Sequence, residues 1–401
     1  MSEYRSEAKV ARSNEIGPAI GVTAAAGFRA AGVAAGLKTD GRDVALVVND
    51  GPLDLAAGVV TTNRVKAAPV LWTEQVLAGG RVRAVVLNAK FANACTGPAG
   101  FQVTHATAEL VAATLGIGAA EVAVCSTGKI GEPPPLDVLS GGVVAAVDAL
   151  SADGGSAAAD AIRTTDTVSK QAVAGGDGWT VGGMAKGAGM LAPSLATMLC
   201  VLTTDAVVEP QQLNQALRDA TRVTFDRVDS DGCLSTNDTV LLLASGASGI
   251  TPDSDEFAGA VRDVCADLAK QLVADAEGAS KEIAVEVRGA ASEDDALEVA
   301  RAISRSNLLK CALHGEDPNW GRILAAVGTT QAKFDPLALD AAINGVWVCR
   351  DSAPAADPAT VDLSPRAVSL VVDLRSGDAA ATIWTNDLTA AYVHENSAYS
   401  T

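Results

Sequence analysis

Gly182-Gly183-Met184-Ala185-Lys186-Gly187-Ala188-Gly189-Met190-Leu191-Ala192-Pro193-Ser194-Leu195-Ala196-Thr197-Met198-Leu199-Cys200 carries four glycines and a lone lysine, and delivers a threonine to the mouth of an apolar strand. Glycines allow a backbone to approach a ligand closely or to adopt positive φ. Lys186 is the only charged residue between Asp177 and Asp205. Thr197 follows the small Ala196 and precedes Met198-Leu199-Cys200-Val201-Leu202. A threonine hydroxyl is a weak nucleophile without an adjacent base. Cutting the chain just before the threonine supplies one, because the new α-amino group can take the hydroxyl proton. The same residues also suit a buried turn that feeds a core strand, with Thr197 hydrogen-bonded to backbone.

Working outward, the 401-residue chain is 48% apolar, enough for two domains or one large layered unit. Aromatic residues make up 3% and glycines number 38, so alanine-rich packing is expected rather than aromatic clusters. The net charge of −18 argues against nucleic acid and anionic membrane surfaces as partners. Residues 1–196 carry 15 basic and 17 acidic side chains, and residues 197–401 carry 15 and 31. Solvated helix faces account for that imbalance. The seven cysteines form no C-x-x-C pair and no metal-ligand spacing, as expected of reduced thiols in a cytoplasmic protein. His105, His314 and His394 lie far apart, a thin supply for a metal site or a Ser-His-Asp triad. The first residues are polar and charged, and no run approaches the length of a membrane span.

Short apolar runs predict strands at 44–48, 58–62, 82–87 and 121–125, and helical patterns occupy 104–115, 136–150 and 156–163. Beyond Thr197, helices are predicted at 209–222, 254–277 and 293–312. Strands are predicted there at 198–203, 239–244, 281–288, 345–349, 367–373 and 380–384. Strands and helices mix without strict alternation, which favours an α+β, layered sandwich over a doubly wound sheet. The strand at 121–125 runs into Ser126-Thr127-Gly128, where a hydroxyl and a glycine N–H meet at a strand end. By residue type alone this is an ordinary strand-ending turn. Lys186 likewise suits a solvated loop, Glu277 a helix-end surface charge, and the last residues a frayed terminus.

The run at 182–200 resembles the self-cleavage segment of the ornithine acetyltransferase family, also called glutamate N-acetyltransferase. Further similar stretches follow in order: Asn93-Ala94-Cys95-Thr96-Gly97, Cys125-Ser126-Thr127-Gly128, Thr164-Thr165-Asp166, Ser235-Thr236-Asn237-Asp238-Thr239, Asp275-Ala276-Glu277-Gly278, Asp317-Pro318-Asn319-Trp320-Gly321-Arg322 and Glu395-Asn396-Ser397-Ala398-Tyr399. Each is weak alone, and together they are specific. The resemblance implies an N-terminal-nucleophile-like α+β fold with helices flanking β-sheets. It implies self-cleavage between Ala196 and Thr197, giving an α fragment of residues 1–196 and a β fragment of residues 197–401. Thr197 would then carry acetyl from N-acetylornithine to glutamate in arginine biosynthesis. Thr127 and Gly128 would form the oxyanion hole. Thr164, Thr165, Lys186, Glu277, Asn396 and Thr401 would bind substrate.

The two fragments would stay together and pair again, as α2β2. No metal or organic cofactor is implied, and acetyl-CoA stays open as a second donor. Two departures stand out. The family often reads Asn-Ser-Gly where this chain has Asn88-Ala89-Lys90, and Lys129 replaces an expected apolar residue. Both bear on substrate preference. Two other functions remain open from the residues: an N-terminal-nucleophile amidohydrolase or aminopeptidase with water as acceptor, and an inactive binding protein of the same fold.

Overall fold

The computed structural model describes residues 21–192 and 198–398. Fifteen strands form three sheets among these residues. The first sheet has the order β1 (Phe28–Val33), β2 (Val44–Asn49), β4 (Ala84–Asn88), β5 (Val122–Ser126), with β4 and β5 parallel. The second has the order β3 (Leu55–Val60), β9 (Thr239–Ala244), β8 (Leu199–Thr204), β7 (Trp179–Lys186), β6 (Lys170–Gly176).

These two sheets stack face to face. Ala45, Val47, Val85 and Leu87 of the first meet Leu199, Val201, Leu241 and Leu243 of the second. The outer face of the first sheet is covered by α2 (Gly97–Leu115) and α3 (Leu136–Asp148), through Ala108, Val111, Leu139 and Val143 against Leu46, Val86 and Val124. The outer face of the second is covered by α5 (Pro210–Val223) and α6 (Ser254–Ala274), through Leu213, Leu217, Phe257, Val261 and Leu268. The result is a four-layer helix–sheet–sheet–helix sandwich, the α+β class expected from the sequence. Its central strands are buried on both faces, which is why β2, β8 and β9 read as unbroken apolar runs. Each fully buried Leu or Val contributes about 1.5–3 kcal/mol. Two shorter helices, α1 (Ala68–Leu77) and α4 (Gly155–Ala161), pack against β5 and β1 respectively.

The third sheet has the order β13 (Ala353–Pro354), β12 (Val346–Arg350), β11 (Asp340–Ile343), β14 (Ala367–Asp373), β10 (Glu282–Ala290), β15 (Ala379–Asn386). It has its own core with α7 (Glu293–Ser304), α8 (Asn307–His314) and α9 (Trp320–Val327). The terminal helix α10 (Ala390–Ser397) follows β15.

Three expectations need correction. The glycine-rich stretch is not wholly a turn, because Gly182–Lys186 completes β7. A Cβ on Gly183 would lie 2.6 Å from the Leu202 side chain, so that glycine makes room for the core. The helix expected at 293–312 is two helices, since the Ser306 hydroxyl accepts the Leu309 N–H and starts α8. The strand expected at 58–62 is Leu55–Val60, in register with β9.

Segments on either side of Thr197 share the second sheet. β8 and β9 lie between β3 and β7, so neither 1–196 nor 197–401 has a sheet to itself at this point. Lys186 ends β7 opposite Leu199, which opens β8, and Leu199 pairs with Thr239, which opens β9. That end of the sheet holds the candidate site. No helix among the described residues is long and apolar enough to cross a membrane. All seven cysteines are unpaired.

Candidate active site

Strand β5 delivers Thr127 and Gly128 to the same end of the sandwich. The Thr127 N–H donates to the Asn88 carbonyl (3.0 Å) and the Lys129 N–H to the Lys90 carbonyl (2.9 Å). Segments 88–92 and 126–129 are thereby zipped together. Asn237, just before β9, donates to the carbonyls of both Ala92 (2.6 Å) and Ser126 (2.8 Å) and locks the pair. Gly128 has φ +124°, and a Cβ there would lie 2.3 Å from the Lys90 carbonyl, so only glycine fits. The departure at Ala89-Lys90 therefore lies against the predicted oxyanion pair. Lys90 takes φ 81° with its side chain exposed, while Lys129 lines the cleft and its ammonium reaches Glu132 at 2.9 Å.

Lys186 is 2% exposed. Its ammonium donates to Thr127 Oγ1 (3.3 Å) and stands 3.7 Å from Asp166 Oδ2. Asp166 Oδ1 accepts from Lys170 Nζ (2.7 Å) and the Gly187 N–H (2.6 Å), and Oδ2 from the Thr164 N–H (3.0 Å). Lys170 is fully buried and also reaches Asp275 Oδ2 at 2.5 Å. Burial pushes the Lys186 ammonium below its ordinary pKa. Asp166 opposes the shift and Lys170 adds to it. Burial alone would raise Asp166, yet the two ammonium groups and its hydrogen bonds outweigh that and hold its carboxyl far below the usual range.

Glu277 lies beyond the end of α6, in the turn with Gly278, and not in the helix as predicted. Thr165 Oγ1 donates to its Oε1 (2.7 Å) and Asn396 Nδ2 to its Oε2 (2.9 Å). Of the two candidate threonines, Thr165 is thus the one whose hydroxyl meets Glu277, while Thr164 contributes its backbone N–H to Asp166. Asn396 sits on α10, whose first turn is capped by Thr389 Oγ1 accepting from the Tyr392 N–H (3.0 Å). Thr127, Gly128, Thr164, Thr165, Lys186, Glu277 and Asn396 all line one cleft of about 340 Å3. Ala196, Thr197 and Thr401 lie outside the described residues. A neighbouring cleft of about 250 Å3, with Lys310 and Asp231 in its lining, shares Glu277 as a wall.

Sequence reasoning gave no role to the carboxylates that hold the loop from β7 to β8. Asp166 accepts the Gly187 N–H, Asp231 the Met190 N–H (2.7 Å), and Asp238 the Met198 N–H (3.1 Å). Two buried acids and the half-buried Asp231 thus grip backbone amides along the glycine-rich loop, and at Asp166, which is held ionised, the bond is of the stronger, charge-assisted kind. Burial raises both Asp231 and Asp238, the latter well above the usual range despite bonds from Met198 and Ser235. Among the described residues no group of three or more His, Cys, Asp or Glu is placed to hold a metal ion.

A layered α+β chain is thus defined, with a hydroxyl, a glycine N–H, a buried ammonium and a carboxylate converging where an apolar strand begins. The family is settled by sequence: the ArgJ family model matches residues 29–401, and the chain belongs to the ArgJ family. It is 67% identical over 380 residues to the arginine biosynthesis bifunctional protein ArgJ of Streptomyces coelicolor, covering 94% of this chain and 99% of that one. The corresponding protein of Thermobifida fusca is 65% identical over 381 residues, covering 95% and 100%. Among solved structures, the ornithine acetyltransferase of Mycobacterium tuberculosis complexed with ornithine is 60% identical. It covers 45% of this chain and 97% of that chain with a TM-score of 0.43. The resemblance read from the sequence is borne out, and the chain is an enzyme of that family.

Proposed function

We propose that this protein moves acetyl from N-acetylornithine to glutamate through an acetyl ester on Thr197, after cutting itself between Ala196 and Thr197. The observation that carries this is the convergence of Thr127, Gly128, Lys186 and Glu277 on the sheet end where β8 opens, two residues after Thr197. In the cut, the Thr197 hydroxyl attacks the Ala196 carbonyl carbon. The peptide C–N bond breaks, its nitrogen takes a proton, and water hydrolyses the resulting ester. The new α-amine has an unperturbed pKa of about 7.7–8.0, so a useful fraction is neutral near pH 7.

In transfer, that amine takes the Thr197 hydroxyl proton as the oxygen attacks the acetyl carbonyl. Negative charge builds on the acetyl oxygen, where the Thr127 hydroxyl and the Gly128 N–H would donate. The proton then passes to the α-nitrogen of ornithine, which leaves. Glutamate attacks the acetyl-threonine ester by the reverse sequence. The Lys186 ammonium suits a substrate carboxylate, and the Glu277 carboxylate, held by Thr165 and Asn396, suits a substrate ammonium. Thr401 would add a polar contact from the chain end.

On this account residues 1–196 and 197–401 are the two fragments. Their strands interleave in one sheet, so a cut at 196 leaves the ladders of β7 with β8 and of β3 with β9 in place. A cytoplasmic α2β2 assembly without metal or organic cofactor completes the proposal, with acetyl-CoA open as a second donor.

Initial-rate kinetics test it. Parallel lines with N-acetylornithine and glutamate, and one acetyl group trapped on the 197–401 fragment with donor alone, are expected. Intersecting lines without a trapped acyl fragment would point to direct transfer. Acetate release that glutamate does not suppress would favour an amidohydrolase.

A further inference from the structure

Lys186 is the last residue of β7 and Thr127 follows the last residue of β5, so each comes from a different stacked sheet. A lysine side chain has four rotatable bonds, and nothing in its own strand aims the ammonium at one hydroxyl. The aim comes from behind. Asp166 Oδ2 stands 3.7 Å from Lys186 Nζ, and neither side chain is more than 3% exposed. Asp166 is itself fixed from three directions, by the Gly187 N–H, the Thr164 N–H and the Lys170 ammonium. Lys170 is anchored in turn by Asp275, whose carboxylate also accepts the Thr167 N–H at 3.0 Å. A line of alternating charge therefore runs from Asp275 through Lys170 and Asp166 to Lys186, and ends on a neutral hydroxyl.

We propose that Asp166 is a positioning residue for acyl transfer: backed by Lys170, it holds the Lys186 ammonium as a donor to Thr127 Oγ1, so that the Thr127 hydroxyl directs its own hydrogen at the developing oxyanion. The inference rests on the assignment of Thr127 as an oxyanion donor. A hydroxyl has one hydrogen and two acceptor lone pairs. With a lone pair taken by Lys186, its hydrogen is left for the substrate oxygen, and the nearby positive charge strengthens that donation. Lys186 must stay protonated to play this part. The titratable groups that face it are Asp166 in the turn before β6, Lys170 at the start of β6, Glu277 after α6, and Asp238 before β9. Asp166 is the nearest anion and opposes the lowering of the Lys186 pKa by burial.

The test is a double-mutant cycle between Asp166→Asn and Thr127→Ala, measured on cleaved enzyme with N-acetylornithine and glutamate across pH. Asp166→Asn should lower kcat on the order of 10²-fold, as misplacement of a catalytic group by about 1 Å does, with KM nearly unchanged. Its alkaline limb should move to lower pH, because Lys186 loses its counter-charge. The double variant should be little worse than Thr127→Ala alone. Should Asp166→Asn fail to fold with Lys170 unpaired, Asp166→Asn with Lys170→Met removes both charges and carries the same expectations for kcat and for the combination with Thr127→Ala, while its alkaline limb should move less, because Lys186 also loses the repulsion of Lys170. A crippled Thr127→Ala beside an Asp166 variant of normal kcat and unmoved pH limb would overturn the proposal, as would losses that multiply in the double variant. An active Thr127→Ala would instead overturn the oxyanion assignment beneath it.

Discussion

Gly189 lies directly beneath Glu277: a Cβ on Gly189 would fall 2.5 Å from Glu277 Oε2. The Glu277 N–H also donates to the neighbouring Ala188 carbonyl at 2.9 Å, so loop and carboxylate are registered to each other. Gly189→Ala should therefore push the carboxylate off its bonds from Thr165 and Asn396. The obstructing atoms are the end of a flexible side chain, so the melting temperature should change little. Each bond lost is worth about 1–3 kcal/mol. KM for N-acetylornithine should rise on the order of tenfold with kcat less affected, as steady-state kinetics would show. An unchanged KM would remove Glu277 from the substrate site.

Thr127→Ala should slow both the cut and the transfer, because on the proposed mechanism one oxyanion donor serves both tetrahedral intermediates. Loss of such a donor costs about 10²–10³ in kcat in the serine protease case. The deficit should sit in kcat, since the bond strengthens as charge develops. A change confined to KM would make Thr127 a ground-state contact.

Asn396 is not on a frayed end. Its helix is tied to the Glu277 turn by the Thr389 hydroxyl, which donates to the Gly278 carbonyl at 2.7 Å. Removing residues 396–401 would take only the last turn of α10 and leave this tie intact. Cleavage and melting temperature should survive, while kcat/KM for N-acetylornithine should fall on the order of tenfold or more through lost polar contacts. Normal kcat/KM in the truncated protein would remove Asn396 and Thr401 from the site.

Lys310 gives a pH signature for stability. Its ammonium donates to the Ser230 carbonyl and to Thr385 Oγ1, and burial lowers its pKa to about 8, against about 10.4 for an unfolded lysine. Between these values the unfolded chain holds a proton that the folded chain has released. Stability thus rises with pH across about 8–10.4, by up to about 3 kcal/mol. Lys310→Met lacks this gain. The melting temperature of wild type relative to Lys310→Met should therefore increase from pH 7.5 to pH 9.5, and a constant difference would contradict the assignment.

How much of this was legible in the sequence follows burial and locality. β8 and β9 announce themselves because both faces are apolar. Helices α6 and α7 carry legible starts, since Asp253 and Ser292 accept the N–H groups of their first turns. By contrast β7 was hidden by Gly182 and Gly183, which dilute the apolar signal where neighbouring groups approach, and α1 begins without a capping side chain. In the site, residue type alone left Thr127, Lys186 and Glu277 as a turn, a loop lysine and a surface charge. Only their joint pattern, set by the family resemblance, singled them out. Asp166 and Asp238 lie in stretches that the resemblance covers, yet their roles, and that of Lys170, were further out of reach, because a buried charge and a solvated one look alike in sequence. Their partners stand up to 105 residues away, as for Lys170 and Asp275.

The central claim is self-cleavage that frees Thr197 as an acetyl carrier, and intact mass spectrometry of the purified protein, before and after N-acetylornithine, tests it most directly. Two fragments should appear, the second beginning at Thr197 and gaining one acetyl group with donor alone, while Thr197→Ala stays whole and inactive. A wild-type chain that remains single and unacetylated while it transfers acetyl at full rate would contradict the account.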